Sequence, residues 1–115
     1  MAVLAAVDIE RNMGKKNIDV CTFGGPRTGK IDFRIHFNRE ISRCFRVVNR
    51  LDIVPHVPSL IALWSHVGEA IEVNGTGGTS AHSLEAYLDG LKKLQPPSAT
   101  NTESIAPVIM SMRVP

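Results

Sequence analysis

The residues best suited to chemistry are a carboxylate and an imidazole. Asp52 follows the apolar, β-branched run Cys44–Asn49, and His82 follows a glycine-rich loop that leaves a second such run, Ala70–Val73. Strand ends of this kind face the crevice of an open α/β sheet, where ligands bind. Brought together there, the acid fixes the imidazole tautomer and stabilises the imidazolium, while the imidazole takes and returns a serine proton. That is a hydrolytic triad without its nucleophile. Spacing alone does not establish it, since any strand-end aspartate and any loop histidine would satisfy it.

Two other stretches imitate functional motifs. Gly24–Lys30 (GGPRTGK) fits G-x-x-x-x-G-K, the first seven positions of a phosphate-binding loop. The eighth position, where a Ser or Thr hydroxyl holds magnesium, is Ile31, and Pro26 removes one of the backbone donors such a loop depends on. A nucleotide-binding module is the alternative reading of this stretch; a strand-to-helix turn that needs glycine dihedrals is the plainer one. Gly78–His82 (GTSAH) imitates a nucleophile elbow, G-x-S-x-G, but His82 stands where the second glycine belongs. Ser83 is no better, with Ala81 and Glu85 at the flanking positions. In α/β-hydrolases the acid and the histidine follow the serine, and no histidine lies beyond His82. No nucleophile is visible.

Cys21 and Cys44 are too few for a disulfide scaffold and too far apart for a paired metal knuckle. They read as two buried free thiols, with a bridge between neighbouring strands as the other possibility. No metal or other cofactor is expected. His56, between Pro55 and Pro58, reads as a solvent-facing loop residue, and Arg27 as a partner for local carbonyls. Leu63 and Trp64 read as core, with an acyl-pocket lining as the alternative. Asn74-Gly75-Thr76 matches a glycosylation sequon, but Asn-Gly is first a turn former.

These residues need elements to hold them. Residues 2–11 (AVLAAVDIER) have helical composition but no N-cap, so the helix reads as one whose first turn is cut away. Ile18–Phe23, Cys44–Asn49 and Ala70–Val73 are strand candidates. Residues 31–41 are ambiguous. Ile31, Phe33, Ile35 and Phe37 alternate as in a strand, whereas Phe33, Phe37 and Ile41 sit at helical spacing. Leu84, Tyr87, Leu88, Leu91 and Leu94 form one stripe of an amphipathic helix. From Gln95 the Pro-Pro pair and the Ser/Thr/Asn run read as a flexible tail. The order of elements is that of an α/β sheet, too few strands for a closed domain and with at least one open edge. The expectation is one domain portion over residues 1–94 and a tail over 95–115.

Composition excludes more than it selects. With 115 residues, 43% of them hydrophobic and 21% charged, the chain is neither disordered nor a multi-domain protein. A formal charge of +2 without basic clusters points to no nucleic-acid partner. No window approaches the ~20 apolar residues of a bilayer span, and MAVLAAV lacks the basic region of a signal peptide. A cytoplasmic location is the resulting expectation.

Four segments together carry a family likeness. VCTFGGPRTG, RVVNRLDIVPHVP, WSHVGEAIEV and HSLEAYLDGL resemble, in order, the V-x-T-F-G-x-P-R-x-G turn, the acid loop, the [aromatic]-x-H-x-G-x-E segment and the histidine-bearing helix start of the class 3 (fungal-lipase-like) lipases. The resemblance covers about residues 2–92. It implies a partial α/β-hydrolase fold and hydrolysis of carboxylic esters in acylglycerols or related lipids, through an acyl-serine intermediate. It makes Asp52 the triad acid, His82 the triad base and His66 a loop-ordering residue, and it favours a helix over 31–41. By the same likeness the nucleophilic serine, on a G-H-S-L-G-G elbow, falls about half a dozen residues before Met1, and the oxyanion-hole donors fall outside the chain too. The chain alone is then expected to be an inactive fragment whose partner is a lipid or ester substrate at a lipid surface. The competing class is the non-catalytic nucleotide-binding module built on GGPRTGK, and a third reading is a serineless lipid-binding or interaction domain.

Overall fold

The computed structural model describes residues 1–94, so the tail expected over 95–115 lies outside the described residues. Helix α1 (Ala2–Met13) opens the chain without a side-chain cap and turns Val3, Ala6 and Glu10 inward. It stops at Gly14, whose φ of +61° supplies the left-handed cap that ends many helices. Strand β1 (Asp19–Phe23) follows, then the short β2 (Gly29–Lys30), α2 (Ile31–Glu40), β3 (Arg43–Asn49), β4 (Trp64–Ser65), β5 (Glu69–Val73) and α3 (Leu84–Leu94).

β1, β3 and β5 form a parallel sheet in the order β1-β3-β5. The register pairs Val20 with Cys44 across β1 and β3, and Asn49 with Val73 across β3 and β5. A parallel pair needs a crossover of a dozen or more residues, and α2 supplies it between β1 and β3. Because neighbouring residues of a strand face opposite ways, β3 feeds two cores. Cys44 packs with Val3, Ala6, Val20, Phe37, Ile41 and Val67 on the side of α1 and α2. Val47 packs with Val73, Tyr87, Cys21 and Leu91 on the side of α3. Among the described residues β1 and β5 are both open edges, as the strand count implied.

Residues 31–41 resolve in favour of the 3.6-residue period. Phe37 is fully buried and Ile41 nearly so, whereas Ile35, which a half-buried strand would turn inward, is 63% exposed. β2 and β4 pair antiparallel, Gly29 with Ser65 and Lys30 with Trp64. Two-residue strands carry no periodicity, so the sequence does not mark them. The apolar stripe of α3 is corrected in part. Tyr87 is buried and Leu91 packs beside it as the stripe implies, but Leu84, Leu88 and Leu94 are substantially exposed, and the helix buries Ala86 and Gly90 as well. Small residues decide this face: a Cβ on Gly90 would stand 2.7 Å from Val73, and one on Gly75 would stand 1.6 Å from the Ala86 carbonyl. The helix lies too close to β5 and its loop to seat a leucine row there. The cysteines are both free, and no bridge joins them. Burial raises both thiols, Cys44 to about 11.

Candidate active site

The parallel strands deliver their C-terminal ends to one rim. β3 ends at Asn49, and the Asp52 N–H closes a tight turn by donating to the Asn49 carbonyl at 2.9 Å. The Asp52 side chain is fully buried. Its Oδ1 accepts the Val54 N–H at 2.9 Å, which fixes the carboxylate at the head of the 3₁₀ turn Val54–His56. Its Oδ2 accepts two donors, the Tyr87 hydroxyl at 2.5 Å and His82 Nδ1 at 2.7 Å. The two residues singled out from sequence are therefore in direct contact, across 30 positions of chain.

Electrostatics act in opposite directions on Asp52 and Tyr87. Burial pushes the Asp52 carboxyl up, but the hydrogen bonds from Tyr87, His82 and the Val54 N–H outweigh it and hold the group below its ordinary value. Asp52 is thus an acceptor only, so His82 Nδ1 must carry the proton that joins them. Tyr87 is driven the other way. Burial first, then the bond to Asp52, raises its phenol to about 12, and it remains a neutral donor. The His82 side chain is 51% exposed, and among the described residues no protein group bonds its Nε2. An imidazole anchored by Nδ1 to a carboxylate, with Nε2 open, is poised to take a proton from a hydroxyl that approaches the free nitrogen.

Three further residues build the site. Gly24, at φ +60°, ends β1 against the pair: a Cβ there would lie 2.6 Å from the Tyr87 hydroxyl, 2.7 Å from Asp52 Oδ2 and 3.0 Å from His82 Cε1. The first glycine of GGPRTGK thus serves close approach to the carboxylate. The rest of that stretch does not form a phosphate cradle. Gly29 and Lys30 spend their backbone groups on β4, and Arg27 donates to the carbonyls of His56 and, at 2.8 Å, Pro58. Asn49 holds the loop that leads to His82 through its amide, and Tyr87 holds the Asp52 carboxylate. In the sequence Asn49 ends a strand within RVVNRLDIVPHVP and Tyr87 belongs to an apolar stripe within HSLEAYLDGL, and neither is given a role there. The one available signal is the type of residue: an amide and a phenol in otherwise apolar patterns need partners when buried.

The other candidate residues serve structure or face solvent. His66 Nε2 donates to the Pro55 carbonyl at 2.6 Å. Burial and then the Arg46 charge lower its pKa, so a neutral ring ties the acid loop to the β4–β5 segment. His56 is exposed. Ser83 caps α3 by accepting the Ala86 N–H at 3.2 Å and donates to the Gly77 carbonyl, which engages its hydroxyl in structure. Leu63 corrects the core reading: it is 61% exposed, in a left-handed conformation at the end of a 3₁₀ turn, and Trp64 is half-buried. Among the described residues no cluster of His, Cys, Asp and Glu could hold a metal ion, and no helix is long and apolar enough to cross a membrane.

Comparison with known proteins shows the family and the fold. The family model described as "Lipase (class 3)" matches residues 1–61. The chain belongs to the class 3 lipase family. Phospholipase A1-IIalpha of Arabidopsis thaliana is 34% identical over 83% of this chain and 27% of its own length. A lipase of Rhizopus niveus is 38% identical over 50% of this chain and 15% of its own. A solved triacylglycerol lipase, titled for a serine protease triad at its catalytic centre, superposes with a TM-score of 0.58 and 28% identity. It covers 62% of this chain and 28% of that one. The three-stranded parallel sheet with its helices is thus part of an α/β-hydrolase-like fold, and the chain spans about a quarter of the curated A1 relative.

Proposed function

We propose that Asp52 and His82 are the acid and base of a Ser-His-Asp triad that hydrolyses carboxylic esters of lipids. The observation that carries this reading is the 2.7 Å contact between His82 Nδ1 and a fully buried, ionised Asp52 at the C-terminal rim of a parallel sheet. The acid holds the ring by one nitrogen and offsets the charge that forms when the other takes a serine proton. The nucleophile is a serine supplied by sequence preceding Met1. A cavity of about 270 Å³ supports this placement: Met1, Ala2 and Val3 line it together with Thr22, Gly25 and Arg27. The start of α1 therefore opens beside Gly25, the neighbour of the glycine on which a Cβ would collide with the acid and base. Lipid as the substrate class is supported by family membership and by the surface around the acid. Leu51 and Ile53, on either side of Asp52 in the chain, are 63% and 78% exposed, and Leu60 and Ile61 are 66% and 94% exposed, apolar side chains open to a lipid surface.

The test is ester turnover. The natural coding frame read upstream of Met1 is expected to encode a G-x-S-x-G turn, and the chain extended through it to hydrolyse a long-chain acyl ester. The 115 residues alone are expected at background, because losing a triad serine costs on the order of 10⁶ in rate. An extended chain without turnover contradicts the proposal. So does turnover by the 115 residues alone.

A further inference from the structure

Asn49 is fully buried at the end of β3, three positions before Asp52. Its side-chain amide has two N–H groups and a carbonyl, and all three engage the same loop. Nδ2 donates to the Gly75 carbonyl at 3.0 Å and to the Ala81 carbonyl at 2.9 Å, and Oδ1 accepts the Gly75 N–H at 3.1 Å. Gly75 follows β5, and Ala81 immediately precedes His82, so the bonds grip the loop at its start and its end. Between them the chain runs mostly exposed through Gly77, Gly78, Thr79 and Ser80, a stretch with little side chain of its own to order it. The Asn49 backbone N–H also donates to the Tyr87 oxygen at 3.3 Å, which connects the same residue to the second donor on Asp52.

We propose that Asn49 is a positioning residue: it staples the base-bearing loop to the end of the acid-bearing strand and thereby sets the separation of His82 Nδ1 from Asp52 Oδ2. The inference rests on the acid–base reading above and assigns what holds that pair in register. Only asparagine meets the site's demands. Aspartate keeps the shape but loses both donors, and leaves the Gly75 and Ala81 carbonyls facing a third acceptor. Serine fits but retains a single donor. Glutamine adds a methylene where nothing is exposed.

The experiment uses the 115-residue chain and the imidazole ¹⁵N shifts of His82, which report which ring nitrogen bears hydrogen. Pairing with Asp52 enforces the Nδ1–H tautomer, and Asp52→Asn serves as the reference in which that enforcement is removed. Asn49→Asp is compared with Val20→Ala, which thins the core on the opposite face of the sheet. Asn49→Ser is the second variant, for use where the aspartate chain does not fold. The expected result is loss of the Nδ1–H signature in the folded Asn49 variants and its retention in Val20→Ala at an equal or larger drop in Tm. Retention of the signature in a folded Asn49 variant, or equal loss in Val20→Ala, overturns the positioning role alone. A wild-type chain indistinguishable from Asp52→Asn overturns the acid–base pair, and the positioning role with it.

Discussion

The carboxylate of Asp52 is surrounded by donors of three kinds, a phenol, an imidazole and a backbone amide, and each leaves its mark on titration. Its folded pKa lies below the ordinary 3.8, so the stability it contributes is present above that value and is lost as pH falls through the lower, folded value. Tyr87 has the opposite sign. Its phenol is raised from 10 to about 12, so the unfolded chain releases that proton first and stability falls as pH rises between those values. Tyr87 is the sole tyrosine, so tyrosinate absorbance reads it without ambiguity; a midpoint near 12 is expected, and one near 10 contradicts the buried bond. Tyr87→Phe removes a hydrogen bond to a charged acceptor, at a cost of about 2 kcal/mol at neutral pH, and moves the acid limb of the stability curve upward. At this scale the sequence showed which residues could react and concealed those that hold them. Asp52 and His82 advertise themselves by type and by strand-end position. Gly24 and Tyr87 approach the pair, and Asn49 reaches the His82 loop, only after folding.

Elements carried a mixed signal for physical reasons that differ from one to the next. β3 was legible because VV within a short run between polar ends has few alternatives. α2 was not, because Ile31, Phe33, Ile35 and Phe37 satisfy a two-residue period as well as Phe33, Phe37 and Ile41 satisfy a helical one. The family likeness, not periodicity, favoured the helix. The two readings differ in what they bury, and mutation separates them. Phe37→Ala is expected to cost roughly 3–5 kcal/mol, and Ile35→Ala within about 0.5 kcal/mol of zero, as measured by denaturant unfolding. Comparable losses at both positions contradict the helix. In α3 the stripe holds at Tyr87 and Leu91 and fails at Leu84, Leu88 and Leu94. Ala86 and Gly90 mark the side where backbone must approach β5 and Gly75, and there shortness of side chain outweighed hydrophobicity.

On the scale of the molecule, the fold is a device for bringing strand ends together. Three parallel strands put Gly24, Asp52 and the His82 loop at one rim, and the start of α1 opens at the cavity beside it. Class membership and the α/β sheet were legible from four segments in order, because each couples a strand or helix to the turn or loop beside it. The open edge of β1 was foreseeable only as a count of strands. What lines it became visible in the structure: a groove of about 720 Å³ between α1 and β1, walled by Ala5, Ile9, Ile18 and Val20. The proposed ester hydrolysis requires above all that Asp52 serve His82. The most direct measurement is kcat/KM for a lipid ester by the chain extended through its serine turn, with and without Asp52→Asn. Asparagine preserves shape but presents the wrong hydrogen-bonding group to Nδ1, and a loss of about 10⁴ is expected. A loss smaller than about tenfold (1.4 kcal/mol) contradicts that role for Asp52.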